Sequence, residues 1–237
     1  MKRVALFSLL ILSMSLSCQT FKGLEDRVKT ATQTPSKLTN EEVIRGLKEA
    51  LSVGTNKSTS LAAKLDGFNK NPQIYIPWPA EAQEMKVRLK QMGFSKKIEE
   101  FETSLNRAAE EAALKAAPIF IDAISKMTLQ DGFAILNGKD TAATNYLRKS
   151  TYSSLSAQFM PVIQAAIQKV NVTSYWAPLV TAYNKIPMVK KQNPNLPQYV
   201  NNKAINGLMT LIANEEIKIR KDPAARVSDI LKKVFGK

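Results

Sequence analysis

The sequence predicts an all-α protein: a single multi-helix, bundle-like domain with one short extended segment near residues 73–79. Three observations carry this. Ala, Leu, Ile, Lys and Glu are abundant while Gly is scarce, at 9 of 237 residues, which favours helix over other backbone states. Apolar residues recur at threes and fours along most of the chain, the spacing of one helical face. The stops are helix stops and caps: Thr39, Thr128, Asp140 and Asp222 before periodic runs, Gly93 and Asn137-Gly138 after them.

The first eighteen residues are a separate matter. Lys2 and Arg3 precede the apolar run Val4–Leu12, and small residues lead to Cys18, the only cysteine. This is the layout of a cleaved signal peptide, and the run is shorter than the roughly 20 residues that a spanning helix needs. Ser15-Leu16-Ser17-Cys18 resembles a lipobox, with Leu16 one place later than the usual pattern. Lipidation of Cys18 by palmitate-type acyl chains is the favoured reading, because a lone exported cysteine has no disulfide partner within the chain. Plain secretion and an uncleaved anchor are the alternatives. Each buried CH₂ contributes about 0.8 kcal/mol, so several acyl chains anchor a protein stably. Gln19 after the cysteine favours the outer membrane, with the protein facing the periplasm. Gln19–Leu38 is polar and lacks periodicity, and reads as a flexible tether.

The domain then spans 39–237. Thr39 and Glu42 form a capping box, followed by Val43, Leu47, Ala50 and Leu51 on one face. The stripe weakens over Gly54–Ser60 and is expected to resume at Leu61, Leu65 and Phe68. Gln73–Pro79 carries two prolines and is extended, able to hold a short β-bridge, with Ile74, Ile76 and Trp78 turned to the core. A helix over Ala80–Met92 should bury Met85, Leu89 and Met92. Ser95 is expected to cap a long helix bearing Ile98, Phe101, Leu105, Ala108, Ala112 and Ala116, with Pro118 as a kink or a new start. Thr128 caps a short helix to Leu136. Asp140 is expected to cap the next, ending near Ser150, before a further run from Tyr152 to Val170 bent at Pro161. Thr173–Ile186, Gln198–Arg220 and a last helix bearing Val227, Ile230, Leu231 and Val234 complete the order.

Composition removes several chemistries. There is no histidine, so His-dependent hydrolases and His metal sites are excluded. No P-loop or GxGxxG appears, no calcium loop fits, and the sequence implies no metal and no cofactor. Glycan cleavage by paired carboxylates survives formally, with Glu110 and Glu111 as the nominal acids, although Glu110 with Arg107 three residues earlier also reads as an ordinary helix pair. Arg107, Glu110, Asp140, Arg148 and Arg226 are the candidate ligand-binding residues, because guanidinium forks suit carboxylates and phosphates; the alternative is that each pairs with a nearby group. Trp78, Tyr175 and Trp176 read as packing rather than a sugar platform.

The chain is +14 overall, and Lys185–Lys237 holds eleven basic and four acidic side chains. Beside a membrane this excess would attract anionic headgroups. Export argues against nucleic acid as the partner.

Several runs in order resemble one bacterial family. They are GLKEALSVGT at Gly46–Thr55, NP-I-IPWP within Asn71–Pro79, LNRAAEEAA from Leu105, APIFIDAI from Ala117, MTLQDGFAILNGKDTAAT to Thr144, and KIRKDPAARVSDILKKVFG from Lys218. Together they resemble the domain-of-unknown-function family 4197 over nearly all of Leu38–Lys237. The resemblance implies an exported or lipid-anchored protein with one all-helical domain, and no particular activity. The expected role is therefore a lipid-anchored binding or structural module of the cell envelope. The alternatives are a periplasmic enzyme acting on cell-wall glycan and a carrier of an apolar ligand between helices.

Overall fold

The computed structural model describes residues 39–169, 172–192 and 195–236. Every regular element among them is helical, as the sequence predicts. Leu38–Lys237 forms one compact unit. Cys18 and the tether lie outside the described residues, and so does Val170, the end of the run expected from Tyr152.

The elements are α1 (Asn40–Ala63), α2 (Gln83–Gln91), α3 (Ser95–Ala113), α4 (Ala116–Ser125), α5 (Leu129–Leu136), α6 (Ala142–Lys169), α7 (Val172–Asn184), α8 (Leu196–Lys221) and α9 (Asp229–Phe235). Short 3-10 turns at Ala80–Ala82 and Pro223–Ala225 lead into α2 and away from α8.

Helix α3 is central. It packs on α1, α6, α7 and α8, and buries Ile98, Phe101, Leu105, Ala108, Ala109, Ala112 and Ala113. Alanines over its second half allow neighbours to come close, because only a methyl group separates the backbones. Around it, α6 lies along α8, and α1 runs against α8, α4 and α9. Trp78, Phe101 and Trp176 form one aromatic cluster, with Phe101 stacked on Trp176 at 4.6 Å and edge-on to Trp78 at 5.0 Å. These tryptophans are buried packing, as expected.

Caps and stops account for several boundaries. The Thr39–Glu42 capping box is present, with both reciprocal bonds, and Thr128–Asp131 forms a second. Gly93 adopts φ +86° after α2, a conformation that costs glycine little. Pro118 lies in the first turn of α4, so it marks a new start rather than a kink. Asp222 accepts from the Ala224 amide at 2.9 Å and opens the turn at Pro223.

Five expectations need correction. First, α1 does not fade after Val53. It continues to Ala63 and buries Gly54, Thr55, Ser58, Thr59 and Ala62, while Leu61 and Leu65 are exposed. The inward face keeps its phase and only its polarity changes. Second, Met92 is exposed, because it follows the last turn of α2. Third, Ser95 is the first residue of α3 and supplies no side-chain cap. Fourth, Asp140 does not cap a helix, and the two runs expected on either side of Ser150 are one helix, α6. No breaker separates them, and Ser150 Oγ donates back to the Tyr146 carbonyl at 2.6 Å, within the helical pattern. The turn passes through Pro161 without ending. Fifth, residues 73–79 form no β-bridge. Ile74, Ile76 and Trp78 are buried as expected, but Gln73 and Ile74 lie in a turn where the Ile74 and Tyr75 amides donate to the Asn71 carbonyl, and the Ile76 and Trp78 amides go to side chains of α3.

Candidate functional site

An irregular segment with no strand beside it must find partners for its amides elsewhere. Here α3 supplies them. Glu102, Asn106 and Glu110 stand four residues apart, one above another on a single helical face, and each grips the chain between Phe68 and Trp78. Glu110 Oε1 accepts from the Phe68 and Asn69 amides, both at 3.1 Å. Asn106 accepts from the Ile76 amide at 2.8 Å and donates to the Ile76 carbonyl at 2.9 Å, replacing the two bonds of a strand partner. Glu102 accepts from the Trp78 amide at 3.1 Å. Farther along, the Tyr199 hydroxyl donates to the Pro77 carbonyl at 2.8 Å.

Charge is balanced along the same face. Arg107 donates to Glu110 Oε2 at 2.6 Å and to Asp66 Oδ1 at 2.7 Å. Asp66, at φ 65°, also takes Lys70 at 2.8 Å and the Asn69 side chain at 3.2 Å. These bonds, from Lys70 first and then Asn69 and Arg107, hold the Asp66 carboxyl well below the usual carboxylate range. Burial works against the Arg107 charge, yet Glu110 and Asp66 raise its pKa above the ordinary guanidinium value. Lys86 pairs with Glu102 at 2.5 Å, and burial together with the Glu102 charge pushes the Tyr75 phenol up.

A second buried carboxylate, Glu216 of α8, does similar work at the start of α6. It accepts from the Ala143 amide at 3.0 Å and from the Thr144 amide and hydroxyl at 2.8 Å. This is the cap that Asp140 was expected to supply. Arg220 balances Glu216 at 2.9 Å, donates to the Ile135 carbonyl at 3.0 Å, and lies over the Phe235 ring. The void beside this group, lined by Leu47, Leu51, Ile212, Ile219 and Phe235 among others, measures about 10 Å³, room for about one water.

The five sequence-predicted ligand residues therefore fall in four places. Arg107 and Glu110 are brought together, with Asp66 as third member. Asp140 pairs with Lys221 at 2.5 Å. Arg148 bonds the Asn206 side-chain oxygen. Arg226 donates to the Ile219 and Arg220 carbonyls at the end of α8, at 3.0 and 2.8 Å. Glu110 and Glu111 do not face one cleft: Glu111 turns outward to Lys169 at 2.6 Å. Sequence reading missed Asp66, Glu102, Asn106 and Glu216. The i, i+4, i+8 spacing of 102, 106 and 110 was the available signal for two of them, Glu102 and Asn106.

An open cleft lies beside this face. It has a volume of about 410 Å³ and is lined by Lys96, Glu99, Glu100, Thr103, Ser104, Arg107 and Tyr175. Its rim mixes both signs, and Lys97 pairs with Glu100 at 3.2 Å. Among the described residues, no group of three acidic, His or Cys side chains is placed to hold a metal ion, and no helix is long and apolar enough to cross a membrane.

No curated protein and no solved structure matches the chain. The model of a family described as "Protein of unknown function (DUF4197)" matches residues 37–236, the whole helical unit just described, and the chain belongs to that family.

Proposed function

We propose that this is a lipid-anchored protein of the bacterial envelope, tethered through Cys18, whose helical unit is a binding or structural module. The observation that carries the module reading is how the buried carboxylates are used. Glu110 and Glu216 each accept from two backbone amides of a distant segment and are neutralised by an arginine. A carboxylate so committed holds chain segments together; proton transfer to a substrate needs an acid within reach of it. The anchoring half is supported by the layout of residues 1–18, where the positive start and apolar run end at the lone cysteine.

The test is to express the full chain and Cys18→Ala and to compare membrane and soluble fractions, with mass spectrometry of the mature N-terminus. Wild type is expected in the membrane fraction carrying acyl mass, and the variant in the soluble fraction. Equal retention of both, or an unacylated wild-type N-terminus, rules out the anchor.

A further inference from the structure

Residues 185–192, which follow α7, form an ordered turn of chain, and nothing described in the fold uses what it presents. Asn184, the last residue of α7, clasps the loop shut: its side-chain oxygen accepts from the Gln192 amide at 3.1 Å and its amide group donates to the Gln192 carbonyl at 3.4 Å. Gln192 in turn donates to the Lys190 carbonyl at 3.0 Å. Ile186 and Val189 pack against the main core and pin the loop from within. Between these two pins stands Met188, at φ 63° and with its side chain fully exposed. The left-handed region is uncommon for a residue with a Cβ, and it turns this large apolar side chain away from the core that holds its neighbours.

Lys185, Lys190 and Lys191 lie within three residues of Met188 in the chain and are exposed. Among the described residues, none of the three has an ion-pair partner, in contrast to Lys169 and Lys221. No acidic residue occurs between Asp140 and Glu215, a stretch that includes all of α6 and α7 and most of α8. An exposed apolar tip flanked in the chain by unpaired lysines matches a surface with anionic groups outermost and hydrocarbon beneath.

We infer that residues 185–192 after α7 are a membrane-docking surface, with Lys185, Lys190 and Lys191 meeting anionic phospholipid headgroups and Met188 entering the interface. This deepens the envelope reading above and rests on it, since the loop needs a bilayer within reach.

The two readings separate experimentally. Purified full-length chain carrying Cys18→Ala, which has no acyl group, is sedimented with vesicles of phosphatidylcholine alone and of phosphatidylcholine mixed with phosphatidylglycerol. The parent should bind the mixed vesicles and not the neutral ones, and should release as ionic strength rises to about 0.5 M. Replacing Lys185, Lys190 and Lys191 together by Gln should weaken binding about tenfold or more. Met188→Ser should weaken it about three- to tenfold and leave the salt dependence unchanged. Parent and variants share the same N-terminus, so any contribution from residues 1–17 cancels between them on the same vesicles, and unchanged circular dichroism melting shows that the loop variants fold. Equal binding by the triple variant and its parent overturns the proposal, as does equal binding of the parent to neutral vesicles. Capture by polyglutamate with no binding to vesicles also overturns it, and assigns the loop to an acidic polypeptide. Failure here with wild type still membrane-bound through its acyl chains sinks the loop alone; failure of the Cys18 fractionation sinks the anchor alone.

Discussion

The face of α3 and the loop after α7 are both polar, and they treat charge in opposite ways. On α3, Glu102, Arg107 and Glu110 each have specified partners, and those partners are backbone groups of Phe68–Trp78 or side chains bonded to them. After α7, three exposed lysines without an ion-pair partner among the described residues flank an exposed methionine in the chain. Charge that is fully partnered holds the fold, and removing it should change stability. Charge left open contributes little to the fold, and removing it should change what the protein meets.

The sharpest way to break this contrast is Glu110→Ala. It leaves the Phe68 and Asn69 amides without their acceptor and the Arg107 guanidinium with Asp66 alone, and should cost about 3–4 kcal/mol of stability in urea unfolding. Lys190→Gln with Lys191→Gln should stay within about 0.5 kcal/mol of wild type in the same measurement. Similar losses from both would erase the distinction. Asn106→Leu comes next. It removes both bonds to Ile76 from a fully buried site and should cost about 2–3 kcal/mol, with fluorescence from the nearby Trp78 reporting release of the segment. Gly46→Ala probes a place without charge. A Cβ there would meet Val234 Cγ2 at 2.6 Å, so α9 must shift away from α1 and about 1–2 kcal/mol should be lost.

The smallest effect is a pH dependence. The folded Asp66 carboxyl titrates below its ordinary value, so its contribution is complete above the unfolded pKa of about 4 and is lost as pH falls toward the folded one. Thermal midpoints should therefore drop below about pH 4, and Asp66→Asn should start lower and drop less. Parallel curves would remove Asp66 from the set of partnered charges.

The helices were legible in the sequence because their signals are local. Thr39 with Glu42, Thr128 before Asp131, Gly93, and the spacing of Ile98, Phe101 and Leu105 all act within a turn or two. The second half of α1 was harder to read, because Thr55, Ser58 and Thr59 face inward where the pattern looks for apolar residues. The polar face of α3 was visible only as spacing; whether Asn106 meets water or the Ile76 backbone is decided by where the chain turns thirty residues earlier. The same holds for Asp140 and Glu216. The nearer acid was the natural cap by sequence distance, and tertiary packing delivered the farther one. The loop methionine left no periodic trace, because an exposed apolar residue in a short connection looks like any other.

The carboxylate that seats the start of α6 arrives 73 residues after the amide it accepts from. A growing chain therefore makes the opening turn of its longest helix before the group that completes it exists, and those amides stay hydrated until α8 swings into place. Damage near the C-terminus should accordingly be felt in the middle of the protein, with hydrogen exchange at Ala143 and Thr144 speeding up when residue 216 is changed.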